Sequence, residues 1–338
     1  MGKKVTIKDV SRELGLSPTT ISLVLNGKDS SIPASTKERI LKCVERLNYH
    51  PDTIAQSLAT QRTYTIGIII PDITNNFFTE YVHKAQLKLN ASGYDIILCN
   101  SEDKMENDIK YITLLKNRRV DGLLLAMSAE SLQPNNLDKI KNLLNGLDIP
   151  YIMIDRYIDG DYYYVGVDNE TSGYNIAKYL IDKGHRKIGA ITGPMYLSSS
   201  INRLKGFKRC LEEHSIEIPK DYIQYMKYDM NSGYLAAKEL LKKDITAIFA
   251  FNDLQAYGVI SYAKEVGIRI PEDLSLAGFD DLLYSSILDT KLTTVKQPIE
   301  QIAKESCEMM LRLIDNIAGE KQIRLKTEII IRNSIKEV

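Results

Sequence analysis

The sequence predicts an all-α helix-turn-helix head followed by an α/β body of two lobes, in which helices flank parallel sheets. Three observations lead to this fold class. The first fifty residues contain three short runs whose apolar residues recur at helical spacing. From residue 64 onward, buried-strand patterns alternate with helical patterns. The alternation occurs in two similar half-sets, and 338 residues are enough for two or three such units.

Composition excludes several classes of protein. With 44% apolar and 26% charged residues, the chain suits a globular protein with a substantial core. No run approaches the roughly 20 apolar residues of a membrane-spanning helix, and the first residues lack an apolar signal segment. We therefore expect a cytoplasmic protein without membrane contact. Neither a disulfide framework nor a metal site is expected, because the cysteines are far apart, at Cys43, Cys99, Cys210 and Cys307.

Charge is unevenly distributed along a chain whose net charge is zero. Residues 1–62 hold ten Lys or Arg and six Asp or Glu, so this segment carries +4 and the remainder carries −4. A basic end on an acidic body favours contact between that end and phosphates.

The helices of the head have recognisable ends. Thr6 is expected to cap the first helix, with Asp9 near the positive helix end, and Gly15 stops this helix. Ser17 is expected to cap the second helix, in which Pro18 takes the first position because its missing N–H is not needed there.

The second helix is expected to end at Asn26-Gly27, and a third is expected to follow Ser35, with Glu38 completing a capping box. Two short helices joined by a tight turn and braced by a third form a helix-turn-helix. The second helix then presents hydroxyl side chains that reach base edges or phosphates in a major groove: Thr19, Thr20 and Ser22.

Strand and helix patterns fill the body. Strands are expected at 64–71, 94–99, 122–126, 151–154, 187–192, 222–226, 247–251 and 274–278, with helices between them and a last helix over 299–314. Such alternation implies parallel sheets with right-handed crossovers. Ligands of open α/β sheets bind beyond the carboxyl ends of the strands, so those ends are where we look for a site.

The predicted strand ends are rich in polar and aromatic residues. They carry Asp72, Asn75, Phe77, Phe78, Asp155, Arg156, Asn252, Asp253, Asp280 and Asp281, with Arg203 early in a helix and Gln297 in the return segment. Hydroxyl-rich ligands need hydrogen-bond donors, acceptors and a flat apolar face, and this set offers all three. Each residue alone is also explained as a helix cap or a solvated loop end; we expect Asp253 and Asp281 to be structural.

Three motifs in the head carry a family resemblance: TIKDVS at 6–11, LGLS at 14–17 and TISLVLNG at 20–27. They resemble the head signature of the lac-repressor (LacI/GalR) family of transcriptional regulators. The resemblance implies operator DNA as a partner and the following contact residues: Thr6, Ser17, Thr19, Thr20, Ser22, Leu23, Asn26, Tyr49, Ala55 and Leu58. Leu23 stands where many members carry an arginine that often contacts guanine, so here only an apolar contact, for instance to a thymine methyl, is expected.

Residues 49–63 have two interpretations. Residues 53–58 (TIAQSL) suffice for about a turn and a half of helix, which is marginal in water, so the segment alone is explained as a linker. The family resemblance instead implies a hinge helix that lies beside its copy in a dimer. Ala55 then allows close helix approach, and Leu58 is wedged between base steps of the minor groove.

The body resembles the same family, and it is similar to periplasmic pentose-binding proteins. The motifs are PDI at 71–73, NNFF at 75–78, DR at 155–156, RLKGF at 203–207 and GFDD at 278–281. The resemblance implies a periplasmic-binding-protein-like body and a small-molecule effector. We expect a sugar or sugar derivative, because Asp and Asn near aromatic rings are typical of sugar pockets. The implied effector contacts are Asp72, Asn75, Phe77, Phe78, Asp155, Arg156, Arg203, Tyr228, Asn252, Asp280 and Gln297. Asn76 stands where proline is usual.

Three other functions are alternatives to a sugar-controlled regulator. A doubly wound enzyme is disfavoured because no GxGxxG after a strand, P-loop, GxSxG or HExxH is present, so no catalytic residue and no cofactor are expected. Within the family, catabolite control protein A responds to a phosphorylated carrier protein, and the purine repressor responds to a nucleobase corepressor. Both stay open as alternatives to a sugar.

The expected organisation follows from these elements. The head spans 1–48 and the hinge 49–63; the N-terminal lobe spans 64–165 with 296–325, and the C-terminal lobe spans 166–295 with 326–338. A homodimer is expected because two heads are needed for two half-sites, and no heptad tail follows residue 325.

Overall fold

A computed structural model describes residues 5–25, 29, 31–49 and 62–338. The chain forms two compact units, Met1–Thr63 and Tyr64–Val338. The predicted hinge helix and three predicted DNA contacts, Asn26, Ala55 and Leu58, lie outside the described residues.

The smaller unit contains helices α1 (Ile7–Leu14), α2 (Pro18–Leu25) and α3 (Ala34–Arg46). The predicted ends of α1 are confirmed. The Thr6 backbone N–H and hydroxyl donate to the Asp9 carboxylate at 2.9 and 2.7 Å, and Gly15 ends the helix in the left-handed conformation with φ of +66°.

The cap of α2 is also as predicted, because the Ser17 hydroxyl accepts a hydrogen bond from the Thr20 N–H at 3.1 Å. The predicted cap of α3 is wrong. This helix begins at Ala34 after Pro33, so Ser35 lies within its first turn. Pro33 has the φ of −56° that its ring imposes, and the chain therefore enters the helix directly after it.

A small core holds the three helices together. Its buried members are Val10, Ile21, Val24, Ile40, Cys43 and Tyr49. Each helix is too short to be stable alone in water, so this shared apolar cluster supplies the stability of the unit.

The first sheet of the larger unit is entirely parallel. Its strands are β1 (Thr65–Ile70), β2 (Asp95–Asn100), β3 (Gly122–Leu125), β4 (Tyr151–Ile154), β5 (Tyr164–Val167) and β11 (Gln322–Leu325), in the order β11-β5-β4-β3-β1-β2. With helices α4 (Asn76–Ala91), α5 (Met105–Asn117), α6 (Leu137–Asn145) and α11 (Ile299–Ile314), this sheet forms lobe 1.

The second sheet has the same strand arrangement, except that β12 runs antiparallel to β10. Its strands are β6 (Ile188–Thr192), β7 (Ile223–Tyr225), β8 (Ala247–Ala250), β9 (Ser275–Asp280), β10 (Thr293–Lys296) and β12 (Glu328–Ile330), in the order β12-β10-β9-β8-β6-β7. With helices α7 (Asn169–Asp182), α8 (Ser198–Glu213), α9 (Met230–Leu240) and α10 (Asp253–Glu265), it forms lobe 2.

The predicted class of fold, a helix-turn-helix head and a two-lobed α/β body with flanking helices, is therefore confirmed. The chain passes between the lobes after β5, after β10 and after β11. Three short connections allow the lobes to open and close as hinged bodies around whatever lies between them.

The cores of the lobes explain why their strands are apolar on both faces. In β1, Ile66, Ile68, Ile69 and Ile70 are all buried, because helices cover each side of the sheet. The four cysteines are buried as free thiols.

Helices α7 and α8 of lobe 2 pack at very short range, and two glycines allow it. A methyl group on Gly206 would collide with the carbonyl oxygen of Glu170, and one on Gly173 would collide with that of Arg203. The backbone of α8 is thus pressed against α7, and this contact fixes the position of the helix that carries Arg203.

We expect Gly206→Ala to lower the free energy of unfolding by roughly 1–3 kcal/mol, because the added methyl overpacks the contact between α7 and α8. Without such a collision, Ala in place of Gly would stabilise a helix by about 1 kcal/mol. The sign of the change in the free energy of unfolding therefore shows whether the added methyl collides with α7. Urea denaturation measures it. Lys205→Ala is the control, since it removes only an exposed ion pair with Glu170, and equal or greater stability of Gly206→Ala would contradict the packing argument.

Candidate functional site

A polar cavity lies between the two lobes, at the carboxyl ends of strands from both sheets. The empty space between its walls, including solvent at its open side, is about 340 Å³. It is lined by Asn75, Phe77, Phe78, Asp155, Arg156, Ser199, Arg203, Tyr228, Asn252, Asp280 and Gln297. The fold therefore brings together ten of the eleven residues proposed from the sequence as effector contacts.

Arg203 on α8 is the most tightly held group of the cavity. Its Nε donates to Asn169 Oδ1 at 2.7 Å, and a terminal nitrogen donates to the carbonyl oxygen of Phe251. The guanidinium also lies over the Phe279 ring, with 3.5 Å from Cζ to the ring centroid. With its side chain fixed by α7, β8 and β9, Arg203 has little freedom to turn away from a ligand.

Asp155 stands at the end of β4 in the left-handed backbone conformation, with φ of +63°. Its side chain is nine-tenths buried, and within the described residues its carboxylate accepts no hydrogen bond; Arg156 Nε lies 3.9 Å away. Burial raises the pKa of this carboxyl, although the charges of Arg156 and Arg203 oppose the rise. Asp155 is therefore a strong acceptor whose hydrogen-bonding capacity is unused.

Asp280 reaches the cavity from the end of β9, also with a positive φ, +121°. Its Oδ1 accepts a hydrogen bond from Gln297 Nε2 at 2.8 Å. Burial holds the pKa of Asp280 well above its usual range against the opposing charge of Arg203. Gln297 Oε1 is buried without a hydrogen-bond partner among the described residues, which leaves a second acceptor unsatisfied beside the cavity.

Arg156 is anchored to lobe 1. One terminal nitrogen donates to Asp103 Oδ1 and to the carbonyl oxygen of Met127, each at 3.0 Å. The guanidinium lies 5.8 Å from the centroid of Phe78, whose ring meets that of Phe77 edge to face. The cavity thus pairs a fixed cation with apolar ring surface.

The two asparagines of the cavity also cap helices. Asn75 Oδ1 accepts from the Phe77 N–H at 3.0 Å at the start of α4, and Asn252 Oδ1 accepts from the Gln255 N–H at 2.9 Å at the start of α10. Capping and ligand contact are compatible here, because the cap uses the amide oxygen and leaves the Asn75 amide nitrogen available to a ligand.

Two positions differ from the sequence-based assignment. Asp72 does not line the cavity: its carboxylate accepts from the Thr74 N–H and hydroxyl at 2.8 and 2.7 Å, so it closes the turn before α4. Ser199, which was not proposed, is 2% exposed and lines the cavity. Its position four residues before Arg203, on the same face of α8, is the signal that could have identified it.

The lobes also touch outside the cavity. Leu197 precedes α8 in lobe 2, yet it is fully buried in the apolar cluster of lobe 1 that contains Leu132 and Ile158. Tyr157 of lobe 1 accepts a hydrogen bond on its hydroxyl from Asn202 at 3.0 Å, and its N–H donates to Ser198 at 3.3 Å. These contacts describe a closed arrangement of the lobes.

The head presents a polar face on α2. Thr19 and Leu23 are exposed, Leu23 by 36%, and the partly buried Thr20 and Ser22 lie on the same helix. Thr6 and Ser17 are exposed at the N-termini of α1 and α2. Tyr49 differs from them, since it is 7% exposed and packs in the core of the head, which leaves little of its side chain to face a partner.

Two absences hold for residues 5–25, 29, 31–49 and 62–338, the part of the chain that the structure describes. No group of three or more His, Cys, Asp or Glu side chains is placed to hold a metal ion in that part of the chain. None of the helices described there is long and apolar enough to cross a membrane.

Comparison with known proteins agrees with this geometry. The family model for bacterial regulatory proteins of the lacI family matches residues 6–52, and the model for a periplasmic binding protein-like domain matches residues 177–335. The HTH-type transcriptional repressor PurR of Vibrio campbellii is 32% identical over 98% of this chain and 99% of its own length.

Two solved structures are similar over most or all of the chain. The lac repressor dimer bound to operator and the anti-inducer ONPF has a TM-score of 0.85 at 24% identity, covering 99% of this chain and 100% of that one. A LacI family transcriptional regulator from Enterococcus faecium with bound ribose has a TM-score of 0.69 at 29% identity, covering 81% and 99%.

We expect Asp155→Asn to raise the free energy of unfolding of the ligand-free protein near neutral pH. Because burial raises the pKa of Asp155 in the folded protein, the neutral carboxyl stabilises the fold relative to the charged carboxylate. This contribution to the free energy of unfolding is fully present below the ordinary Asp pKa, about 3.9, and is lost as pH rises through the pKa of the folded protein. Asn cannot ionise, so it avoids this loss, and it tolerates the left-handed conformation.

Urea denaturation at about pH 7.5 and about pH 5 measures the effect, and the advantage of the variant should shrink at the lower pH. Asp159→Asn, at an exposed position, is the control and should show little change. A variant less stable than the native protein at the higher pH would show that Asp155 is not strained by burial.

Proposed function

Since the chain belongs to the lacI family of bacterial regulatory proteins and is a DNA-binding transcriptional regulator, we propose that it is a repressor controlled by a neutral sugar held between its two lobes. The observation that carries this proposal is the set of unsatisfied polar groups in the cavity. The Asp155 carboxylate and Gln297 Oε1 are acceptors without a hydrogen-bond donor among the described residues. The guanidinium groups of Arg156 and Arg203 supply donors to the same cavity.

A polyol fits that set because each hydroxyl both donates and accepts. A carboxylate can accept from two neighbouring hydroxyls, and a guanidinium can donate to their oxygens. The rings of Phe77 and Phe78 supply apolar surface for the C–H face of a sugar. Satisfying buried groups that otherwise lack partners contributes about 1–3 kcal/mol for each group.

The charges of the cavity favour a neutral ligand. Asp155 and Asp280 are balanced by Arg156 and Arg203, so an anionic ligand would face two buried carboxylates that it cannot neutralise. The ribose bound by the related Enterococcus faecium regulator supports a sugar of pentose size as the first compound to test.

A purine is the second candidate, and the relatives named PurR favour it. A nucleobase would use the aromatic rings and the arginines. Its N–H donors, however, are fixed in the plane of the ring, whereas each sugar hydroxyl can rotate to donate to Asp155, Asp280 or Gln297, which all present acceptors toward the cavity. We therefore place a sugar first.

On the DNA side, we propose that α2 enters the major groove and that Leu23 makes an apolar contact there. The protein acts as a homodimer in the cytoplasm, because two heads spaced by one helical turn, about 34–36 Å, match a two-fold symmetric operator. Residues 1–48 form the head, 49–63 the hinge, 64–165 with 296–325 the first lobe and 166–295 with 326–338 the second. No catalytic step is assigned to it.

The proposed control is a shift of population. The ligand contacts both lobes, so it binds the closed arrangement more tightly than an open one, and DNA affinity follows the closed fraction. To shift the ratio of closed to open protein from 1:99 to 99:1, the ligand must bind the closed state more favourably by about 5.5 kcal/mol. Several charge-assisted hydrogen bonds can supply this difference.

Thermal shift with pentoses, hexoses, purine bases and a phosphorylated carrier protein separates the alternatives. We expect at least one neutral sugar to raise Tm, since a ligand at about 100 times its Kd stabilises by about 2.7 kcal/mol. The shift should be absent with the purines and the carrier protein.

Asp155→Asn is the test of the site, because it replaces a charged acceptor and keeps the shape. Its affinity for the active sugar should fall by about 10- to 100-fold, the effect of losing a charged hydrogen bond, while specific DNA binding is retained. Stabilisation by a purine alone, or by the carrier protein alone, would overturn the sugar proposal.

A further inference from the structure

Asp103 lies outside the cavity between the lobes, yet it contacts the segments that follow three strands of the first sheet. It follows β2 itself, and its N–H donates to the Pro71 carbonyl oxygen after β1 at 2.8 Å. Its Oδ1 accepts from the Ala129 N–H after β3 at 2.6 Å and from Arg156 after β4 at 3.0 Å. One exposed carboxylate therefore joins the loops on the lobe 1 side of the cavity.

The backbone that carries Asp103 is strained. Glu102 and Asp103 both adopt the left-handed conformation, with φ of +54° and +56°. This conformation is unfavourable for residues other than glycine, and two such residues in succession are unusual. Strain of this kind persists only where surrounding contacts hold it, and it is commonest near functional sites. Here the strained turn brings the Asp103 carboxylate to Arg156.

Arg156 has two carboxylates within reach and is hydrogen-bonded to one of them. A terminal nitrogen donates to Asp103 at 3.0 Å, whereas Nε lies 3.9 Å from Asp155 Oδ2, beyond hydrogen-bond distance. Arg156 and Asp155 are both buried, and both line the cavity. If Arg156 turned to Asp155, its guanidinium would occupy the acceptor that Asp155 now offers to a ligand.

The electrostatics of the three side chains agree with this division. Burial lowers the pKa of Arg156, but the charges of Asp103 and Asp155 and the hydrogen bond to Asp103 outweigh it, so that the pKa is raised. Burial raises the pKa of Asp155 although Arg156 is near. Arg156 is therefore paired with Asp103, and Asp155 remains a buried carboxylate that accepts no hydrogen bond among the described residues.

We propose that Asp103 is a positioning residue of the effector site: it holds Arg156 away from Asp155, so that both side chains stay available to a ligand. The proposal rests on the proposed function, since it concerns the same cavity, but it holds for any ligand that donates to Asp155. Asp103 does not line the cavity and acts through Arg156 alone.

A double-mutant cycle on the full chain without ligand tests this separation. Asp103→Asn removes the charge but keeps the shape, the acceptor for the Ala129 N–H and tolerance of the left-handed conformation, so the variant should fold. Arg156 should then turn to Asp155, the remaining carboxylate within reach. Urea denaturation at about pH 7.5 measures how Asp155→Asn changes the equilibrium constant of unfolding in each background.

We expect Asp155→Asn to stabilise the native background and to lose that advantage in the Asp103→Asn background, where it breaks a new ion pair. The two effects should differ by about tenfold in the equilibrium constant of unfolding. Glu102→Gln is the matched control, because it removes the same charge from the adjacent residue of the turn, where the Glu102 side chain is exposed beside Lys104. In that background Asp155→Asn should act as in the native protein.

Ligand binding gives the second readout. D-ribose, D-glucose and adenine are titrated calorimetrically into the native protein, Asp103→Asn and Glu102→Gln. Every compound that binds the native protein should bind Asp103→Asn about tenfold more weakly, because the Asp155 acceptor is then taken by Arg156. The affinity of Glu102→Gln should stay within about twofold of the native value.

The outcomes separate this inference from the proposed function. If Asp155→Asn has the same effect in all three backgrounds, or if Asp103→Asn and Glu102→Gln bind a ligand equally well, Asp103 is not a positioning residue and the proposed function stands. If adenine binds and neither sugar does, the sugar proposal fails and both readouts still decide the role of Asp103. If none of the compounds binds, the cycle alone decides it.

Discussion

The buried guanidinium of Arg203 is the interaction on which the organisation of the cleft depends. It joins α7 through Asn169, the end of β8 through the Phe251 carbonyl and β9 through the Phe279 ring. A buried charge is costly unless it is paired and hydrogen-bonded, and these contacts hold it in place. Its charge also opposes the rise in the pKa of Asp155 across the cleft and of Asp280 beside it, so one residue couples the electrostatics of both lobes.

The cavity remains incomplete despite this anchor. Asp155 and Asp280 occupy positive-φ positions at strand ends, the Asp155 carboxylate accepts no hydrogen bond within the described residues, and Gln297 Oε1 is orphaned. Strain and unsatisfied groups of this kind gather where a ligand completes the structure. The closed lobes therefore hold a site whose stability a ligand with hydrogen-bond donors would increase, which is how ligand binding can be linked to lobe closure.

The sequence predicts most of the fold because the spacing of apolar residues and the capping of helices are local properties of the chain. The limits of β4 and α11 and the caps at Thr6 and Ser17 follow directly from such patterns. Ser35 fails as a cap because Pro33 starts the helix earlier. Strands β5, β11 and β12 are missing from the sequence prediction. Gly166 interrupts the apolar run of β5, and β11 and β12 contain the charged residues Arg324 and Glu328, so none has the continuous apolar run of β4. The roles of Asp72 and Ser199 could not be read from the sequence. The turn before α4 keeps the Asp72 carboxylate out of the cavity, and the direction of α8 places Ser199 on the cavity side.

We propose that ligand binding in the cavity and DNA binding by the head are linked energetically, and reciprocal titration measures this linkage. A DNA duplex selected by the full protein from a random pool is titrated by fluorescence anisotropy with and without saturating effector, and the effector is titrated with and without the duplex. We expect saturating effector to change the duplex Kd by about 5- to 150-fold, matched by the same factor in effector Kd when the duplex is present. A duplex Kd that is unchanged by saturating effector would contradict it.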